Sequence, residues 1–179
     1  KLVMSNPEWF KYELVWNKEK PSSGLHAHQQ PLRQHENILV FGNGAITYNP
    51  VMQKTTQRID KPRKANNGEA FGGRAVLRQH NNNGQKFPRS ILSLSNANQN
   101  DRDHPTQKPV ALYEYLILTY TNAGETVLDM CAGSGTTGVA AVKTGRNFIG
   151  IELRPDYFAI MERRIRDAQQ QPTLWEAAK

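Results

Sequence analysis

Two acids and a glycine-rich bend, at a defined spacing, carry most of the chemistry legible in this chain. Between Thr126 and Glu152 it reads TVLDMCAGSGTTGVAAVKTGRNFIGIE. A short apolar run, Thr126-Val127-Leu128, ends on Asp129. The bend Gly133-Ser134-Gly135-Thr136-Thr137-Gly138 follows and opens a helix of small residues, and a second apolar run, Phe148-Ile149-Gly150-Ile151, ends on Glu152. This pattern predicts a strand–loop–helix–strand unit whose glycines, lacking side chains, let a ligand approach the backbone closely. Glu152 follows Gly133 by 19 residues, the spacing at which an acid on the second strand tip reaches ribose hydroxyls. A nucleoside-containing cofactor is expected.

The glycine spacing also fits a dinucleotide fingerprint, so a nucleotide-dependent oxidoreductase and a plain tight turn in another α/β protein are the alternatives. Asp129 lies four residues before the first glycine. There a carboxylate would repel a pyrophosphate and suit an ammonium group. Only 27 residues follow Glu152, too few for the second half of a dinucleotide fold. No Lys-Ser/Thr pair directly follows the glycines, which excludes a Walker-type phosphate loop.

Flanking residues narrow the choice. His104-Pro105-Thr106-Gln107-Lys108-Pro109 stands directly before an amphipathic stretch, and Glu152 is followed by Arg154-Pro155-Asp156-Tyr157-Phe158. With Leu14-Val15-Trp16-Asn17-Lys18 and His35-Glu36-Asn37-Ile38-Leu39-Val40-Phe41, these segments resemble the beta group of amino-directed DNA methyltransferases. Such enzymes move a methyl group from S-adenosylmethionine to the exocyclic amine of adenine or cytosine. Val51 to Arg89 is the poorly matching part. The resemblance implies a cofactor-contacting set of Thr106, Lys108, Asp129, Cys131, Gly133, Ser134, Gly135, Thr136 and Glu152. Asp129 would hold the ammonium of the methionine part, Thr106 and Lys108 its carboxylate, and Glu152 the ribose; the charges agree with these roles. Where the family has Pro and Phe after the motif's acid, this chain has Met130 and Cys131, which reshapes that wall of the site.

Cys131 is the single cysteine. One thiol makes neither an internal disulfide nor a multi-cysteine zinc site, as suits a reducing cytoplasm. Placed at a strand end, it is expected to pack among small apolar residues rather than act as a nucleophile. His26 and His28 are the one close histidine pair and lack further ligands at zinc spacing, so no metal is expected.

The charge is unevenly placed. The formal charge is +7, and the 40 residues from Val51 to Ser90 hold nine basic residues against Asp60 and Glu69, which accounts for all of it. Asn66-Asn67-Gly68, Gly72-Gly73 and Asn81-Asn82-Asn83-Gly84 leave this stretch little helical or strand periodicity. It is expected to be a long mobile insertion, either a solvated loop without a partner or a DNA-contacting region. Lys and Arg would neutralise phosphates, and Asn or Gln would meet base edges. The beta-group resemblance places target recognition here, with Arg58, Lys61, Arg63, Lys64, Arg74 and Arg78 as contacts to double-stranded DNA.

The elements that must position these groups follow from periodicity. Tyr12–Trp16 and Ile38–Phe41 read as buried strands. Pro109 suits a helix start, after which Leu112, Tyr113, Leu116, Ile117 and Tyr120 form one apolar face. Strands over 127–130 and 147–151 alternate with helices over 135–143 and 155–168, which argues for a doubly wound, mostly parallel α/β sheet. The resemblance makes this the S-adenosylmethionine-dependent methyltransferase fold, incomplete, with a basic insertion. The expected organisation is 1–50 for the N-terminal strands, 51–103 for the insertion, 104–170 for the cofactor half and 171–179 for a tail. No apolar run reaches membrane-spanning length. A cytoplasmic protein of bacterial or phage origin is expected.

Methylation of an amine within DNA requires the base to leave the stack. In the resembling family an Asp, Asn or Ser followed by Pro-Pro and an aromatic residue receives it. None of the ten prolines here is adjacent to another, and Ser5-Asn6-Pro7-Glu8-Trp9 has Glu8 where the second proline belongs. No catalytic residue is therefore assigned. The expectation is a fragment lacking the catalytic motif, with an inactive DNA-binding or cofactor-binding relative as the alternative. A homodimer and a restriction endonuclease are further partners that the resemblance admits.

Overall fold

A computed structural model describes residues 1–21, 24–59, 63–64, 77–78, 82–95 and 107–171. In chain order its elements are α1 (Leu2–Ser5), β1 (Phe10–Asn17), β2 (His35–Phe41), β3 (Gln53–Lys54), β4 (Arg63–Lys64), β5 (Leu77–Arg78), β6 (Gln85–Lys86), β7 (Ile91–Ser93), α2 (Val110–Tyr120), β8 (Thr126–Asp129), α3 (Thr136–Lys143), β9 (Asn147–Gly150) and α4 (Pro155–Gln170). They fall into two compact units, Lys1–Asn49 with Arg89–Lys179, and Pro50–Pro88.

In the larger unit, β1 is the centre of a mixed three-stranded sheet. It pairs antiparallel with β2, placing Leu14 opposite Ile38 and Trp16 opposite Glu36, and parallel with β7. Alternation along β1 turns Leu14 and Trp16 inward, as expected when one sheet face meets the core. The strands expected to be buried are thus half-buried, with only Val40 fully buried in β2. Trp16 is 2% exposed, and its indole N–H donates to the Leu94 carbonyl at 2.8 Å, so this large side chain is buried without a lost hydrogen bond.

Helix α2 departs from the single apolar face expected of it. Leu112, Tyr115, Leu116 and Tyr120 pack with Leu14, Trp16 and Leu92. Val110, Tyr113 and Ile117 pack instead with Ala140, Ala141, Val127 and Phe148. A helix lodged between a sheet and a second layer is apolar on more than one side.

That second layer is a β–α–β unit. Strands β8 and β9 run parallel with Asp129 opposite Gly150, and α3 packs against both strands, α2 and α4. Residues 136–141 of α3 are all buried. The other face of the strand pair leaves Leu128, Ile149 and Ile151 each more than half exposed. The observed architecture is α/β with a parallel unit and a mixed sheet.

The smaller unit contains two antiparallel ladders among its described residues, β3 with β6 and β4 with β5. Asn82 organises the first: its side-chain oxygen accepts from the Arg58 and Gly84 amides, and its amide group donates to the Thr56 carbonyl. Pairing therefore exists where the sequence shows no strand periodicity, because two-residue strands are shorter than any detectable period. No described helix is long and apolar enough to cross a membrane.

Candidate active site

The strand tips of β8 and β9 meet at the glycine bend. The Asp129 carboxylate accepts from the Cys131 amide at 3.0 Å with one oxygen and from the Thr137 hydroxyl at 2.5 Å with the other. Glu152 accepts from the Gly133 amide at 2.8 Å and the Arg154 amide at 2.9 Å. The bend is thus braced from both strands before any ligand is considered. Each carboxylate oxygen has two lone pairs, so both acids retain acceptor capacity.

A cavity of about 190 Å³ opens beside the bend, lined by Gln107, Lys108, Tyr113, Asp129, Cys131 and residues 132–134 and 136–137. Its lining carries one acid, Asp129, and one base, Lys108. Lys108 Nζ lies 2.7 Å from Glu36 of β2 and 5.4 Å over the Trp16 ring. Burial alone would raise the pKa of Glu36; the hydrogen bond from Lys108 and the charges of Lys108 and Lys18 outweigh it and hold the carboxyl below its ordinary range. Burial first, and the charge of Asp129 second, push the Tyr113 phenol above its ordinary value, so it stays protonated beside the cavity. A larger cavity of about 510 Å³ runs along β2 and α2, but Ile38, Val40, Phe41, Ile46 and Leu116 dominate its walls. It holds neither acid nor base, so the smaller cavity is the chemical one.

The DNA methylase family model, N6_N4_Mtase, matches residues 2–163. The chain belongs to the N6/N4 DNA methylase family. It is similar to the DNA adenine methyltransferase YhdJ of Escherichia coli K12, with 35% identity over 162 residues covering 87% of this chain and 52% of the relative. It therefore spans about half the length of that relative. Among solved structures, the M1.HpyAVI–SAM complex aligns over 91% of this chain and 65% of its own with a TM-score of 0.59 and 28% identity. The cytosine-N4-specific PvuII DNA methyltransferase aligns with a TM-score of 0.61 over 93% of this chain and 58% of its own, at 17% identity, a likeness of fold. Members of this methylase family use S-adenosylmethionine.

Of the methylase residues expected to meet the cofactor, Lys108, Asp129, Cys131, Gly133, Ser134 and Thr136 line one cavity. Gly135 and Glu152 are outside this lining; Glu152 accepts from the Gly133 amide of the bend. Thr106 lies outside the described residues. Cys131 does not pack among small apolar side chains; it is exposed at the cavity edge, because the chain turns outward after Asp129. Gly135 also has a reason different from ligand approach. It sits at φ +78°, and a Cβ there would lie within about 3 Å of Met161 Cα, Cβ and Cγ on α4. Close helix packing forbids a side chain at this position. Of the expected DNA contacts, Arg58 is a described residue of the smaller unit; Arg63, Lys64 and Arg78 are placed in its ladders as backbone alone; Lys61 and Arg74 lie outside the described residues.

Sequence reasoning missed five methylase residues at or beside the cavity. Gln107, inside the HPTQKP segment, accepts from the Ser134 hydroxyl at 2.9 Å. Tyr113 and Thr137 line the cavity. Glu36 grips Lys108. Arg164 of α4 donates to the Ser134 carbonyl at 2.6 Å and hydroxyl at 2.9 Å, and to the Thr136 hydroxyl at 3.3 Å. Helical spacing from Met161 puts Arg164 and Ile165 on one face, a signal that becomes useful once α4 is known to cross the bend.

Proposed function

We propose that this chain binds S-adenosylmethionine at the Asp129 cavity and forms the cofactor-binding part of a DNA methyltransferase acting on the exocyclic amine of adenine or cytosine. The observation that carries the reading is that Asp129 and Lys108 line one cavity beside a glycine bend. An α-amino acid end presents an ammonium and a carboxylate, and each finds a complementary charge in this lining. The cavity is smaller than the roughly 300–1,000 Å³ usual for a whole small ligand, so it suits the methionine part. The adenosine part would lie toward the strand tip that carries Glu152. When bound, the cofactor supplies an electrophilic methyl on sulfur. The chain's own residues bind and orient: Thr137 and the Cys131 amide aim Asp129, Gln107 and Arg164 hold Ser134, and Tyr113 walls the cavity.

Isothermal titration with S-adenosylmethionine and its demethylated product tests this reading, with Asp129→Asn as the variant. Losing one charge-assisted contact costs about 1.5–3 kcal/mol, on the order of 10- to 150-fold in affinity. Absence of heat with either ligand on the unaltered protein would refute the assignment.

Double-stranded DNA is the proposed partner, met by Arg58, Lys61, Arg63, Lys64, Arg74 and Arg78 of the basic segment. Support comes from the excess charge, which is confined to Val51–Ser90. Binding should weaken with salt, and neutralising Arg58, Lys61, Arg63 and Lys64 together should flatten the logarithmic salt slope by about 1 for each phosphate left without its cation. A slope unchanged by the fourfold variant would remove this segment from the interface. The bacterial cytoplasm is the proposed location.

A further inference from the structure

We infer that Glu36 is a positioning residue for cofactor binding, holding Lys108 so that its remaining donors face the cavity. The inference rests on the cofactor reading above and extends it to a residue that lines no part of the cavity.

Glu36 stands on β2 opposite Trp16, and its two oxygens point to different lysines. Oε1 lies 3.5 Å from Lys18 Nζ, on a side chain only 4% exposed. Oε2 accepts from Lys108 Nζ at 2.7 Å. Lys108 is itself partly exposed and lines the cavity, and the face of Trp16 lies beneath its ammonium. An ammonium on a four-carbon stem is otherwise free to sweep a wide volume. Here one of its three hydrogens is committed to Glu36 and its underside to an aromatic ring, which leaves the others to the cavity.

The arrangement also sets the local charge. Two lysines and one carboxylate leave a net positive site, so an arriving carboxylate meets attraction even though Glu36 is nearby. Lys18 anchors Glu36 from the buried side, and Glu36 in turn fixes Lys108. Rigid support of this kind determines whether a contact group keeps its productive geometry.

The test compares two ligands on two proteins. S-adenosylmethionine carries the amino-acid carboxylate; 5′-methylthioadenosine carries the nucleoside and lacks it. Glu36→Gln keeps the side-chain shape and removes the charge. It should weaken S-adenosylmethionine about tenfold, roughly the loss of one charge-assisted hydrogen bond, and leave 5′-methylthioadenosine unchanged. In a Lys108→Met background Glu36→Gln should add nothing, since residues acting through one another are not additive. Equal weakening of both ligands, full additivity, or unchanged or tighter S-adenosylmethionine binding would overturn the inference. If Glu36→Gln does not fold, Glu36→Asp retains the charge facing Lys18 while shortening the reach, and it is judged by the same ligand pair. A wild-type protein that binds neither ligand would instead sink the cofactor reading.

Discussion

Replacing Gly135 with alanine separates two reasons for a glycine at the bend. Gly135 has φ +78°, and an added Cβ would press on backbone and side-chain atoms of Met161. A left-handed conformation costs an L-residue roughly 1–2 kcal/mol, offset by about 0.4–1 kcal/mol because alanine restricts the unfolded chain. Overpacking against α4 adds about 1–3 kcal/mol, for an expected net loss of about 2–4 kcal/mol. Gly124 is the internal control: it has φ +80°, and a Cβ added there would meet nothing within 4 Å, so Gly124→Ala bears the backbone cost alone, about 1 kcal/mol or less. Urea unfolding followed by far-ultraviolet circular dichroism gives both values under the same conditions. Met161→Ala should cost less in the Gly135→Ala background than in the native protein, because removing Cγ relieves the overpacking. The reasoning fails if Gly135→Ala is no more destabilising than Gly124→Ala, because the contact with α4 would then carry no weight.

Three further outcomes are expected. Thr137→Val removes the hydroxyl that donates to Asp129 at 2.5 Å; S-adenosylmethionine affinity should fall by about 1.5–3 kcal/mol, the range for a hydrogen bond to a charged group, as read by titration calorimetry. Arg164→Met breaks the links from α4 to Ser134 and Thr136 and should lower stability by about 1.5–3 kcal/mol, measurable as a shifted urea midpoint. For Glu36 the folded pKa is lowered from 4.5. The carboxylate therefore contributes stability that is present above that value and lost as pH falls through the folded one. Urea midpoints of the native protein should drop on acidification below about pH 4.5 more steeply than those of Glu36→Gln.

The parallel unit was legible in the sequence because its signals are local. Apolar runs of three and four residues end on acids, Gly145 stops α3 with φ +71°, and Pro155 opens α4, so each boundary is marked by a residue with a conformational reason. What escaped is what tertiary packing decides. Helix α2 shows one apolar face on paper yet serves two cores, since periodicity reports apolar positions and not which neighbour each will meet. Arg164 and Glu36 come from elements distant in sequence, 30 residues after Ser134 and 72 before Lys108, and no spacing rule links them to the bend. The glycines were legible as a special turn, but the identity of the close neighbour at Gly135 required α4 to be in place.

Asp129 and Glu152 are themselves struts of the bend, accepting hydrogen bonds from the Cys131 amide and Thr137 hydroxyl, and from the Gly133 and Arg154 amides. Any substitution at either acid consequently disturbs the resting architecture along with the ligand's partner. The weaker binding of such variants is the sum of a missing partner and a slackened frame, and melting measurements on the unliganded protein are what divide the two.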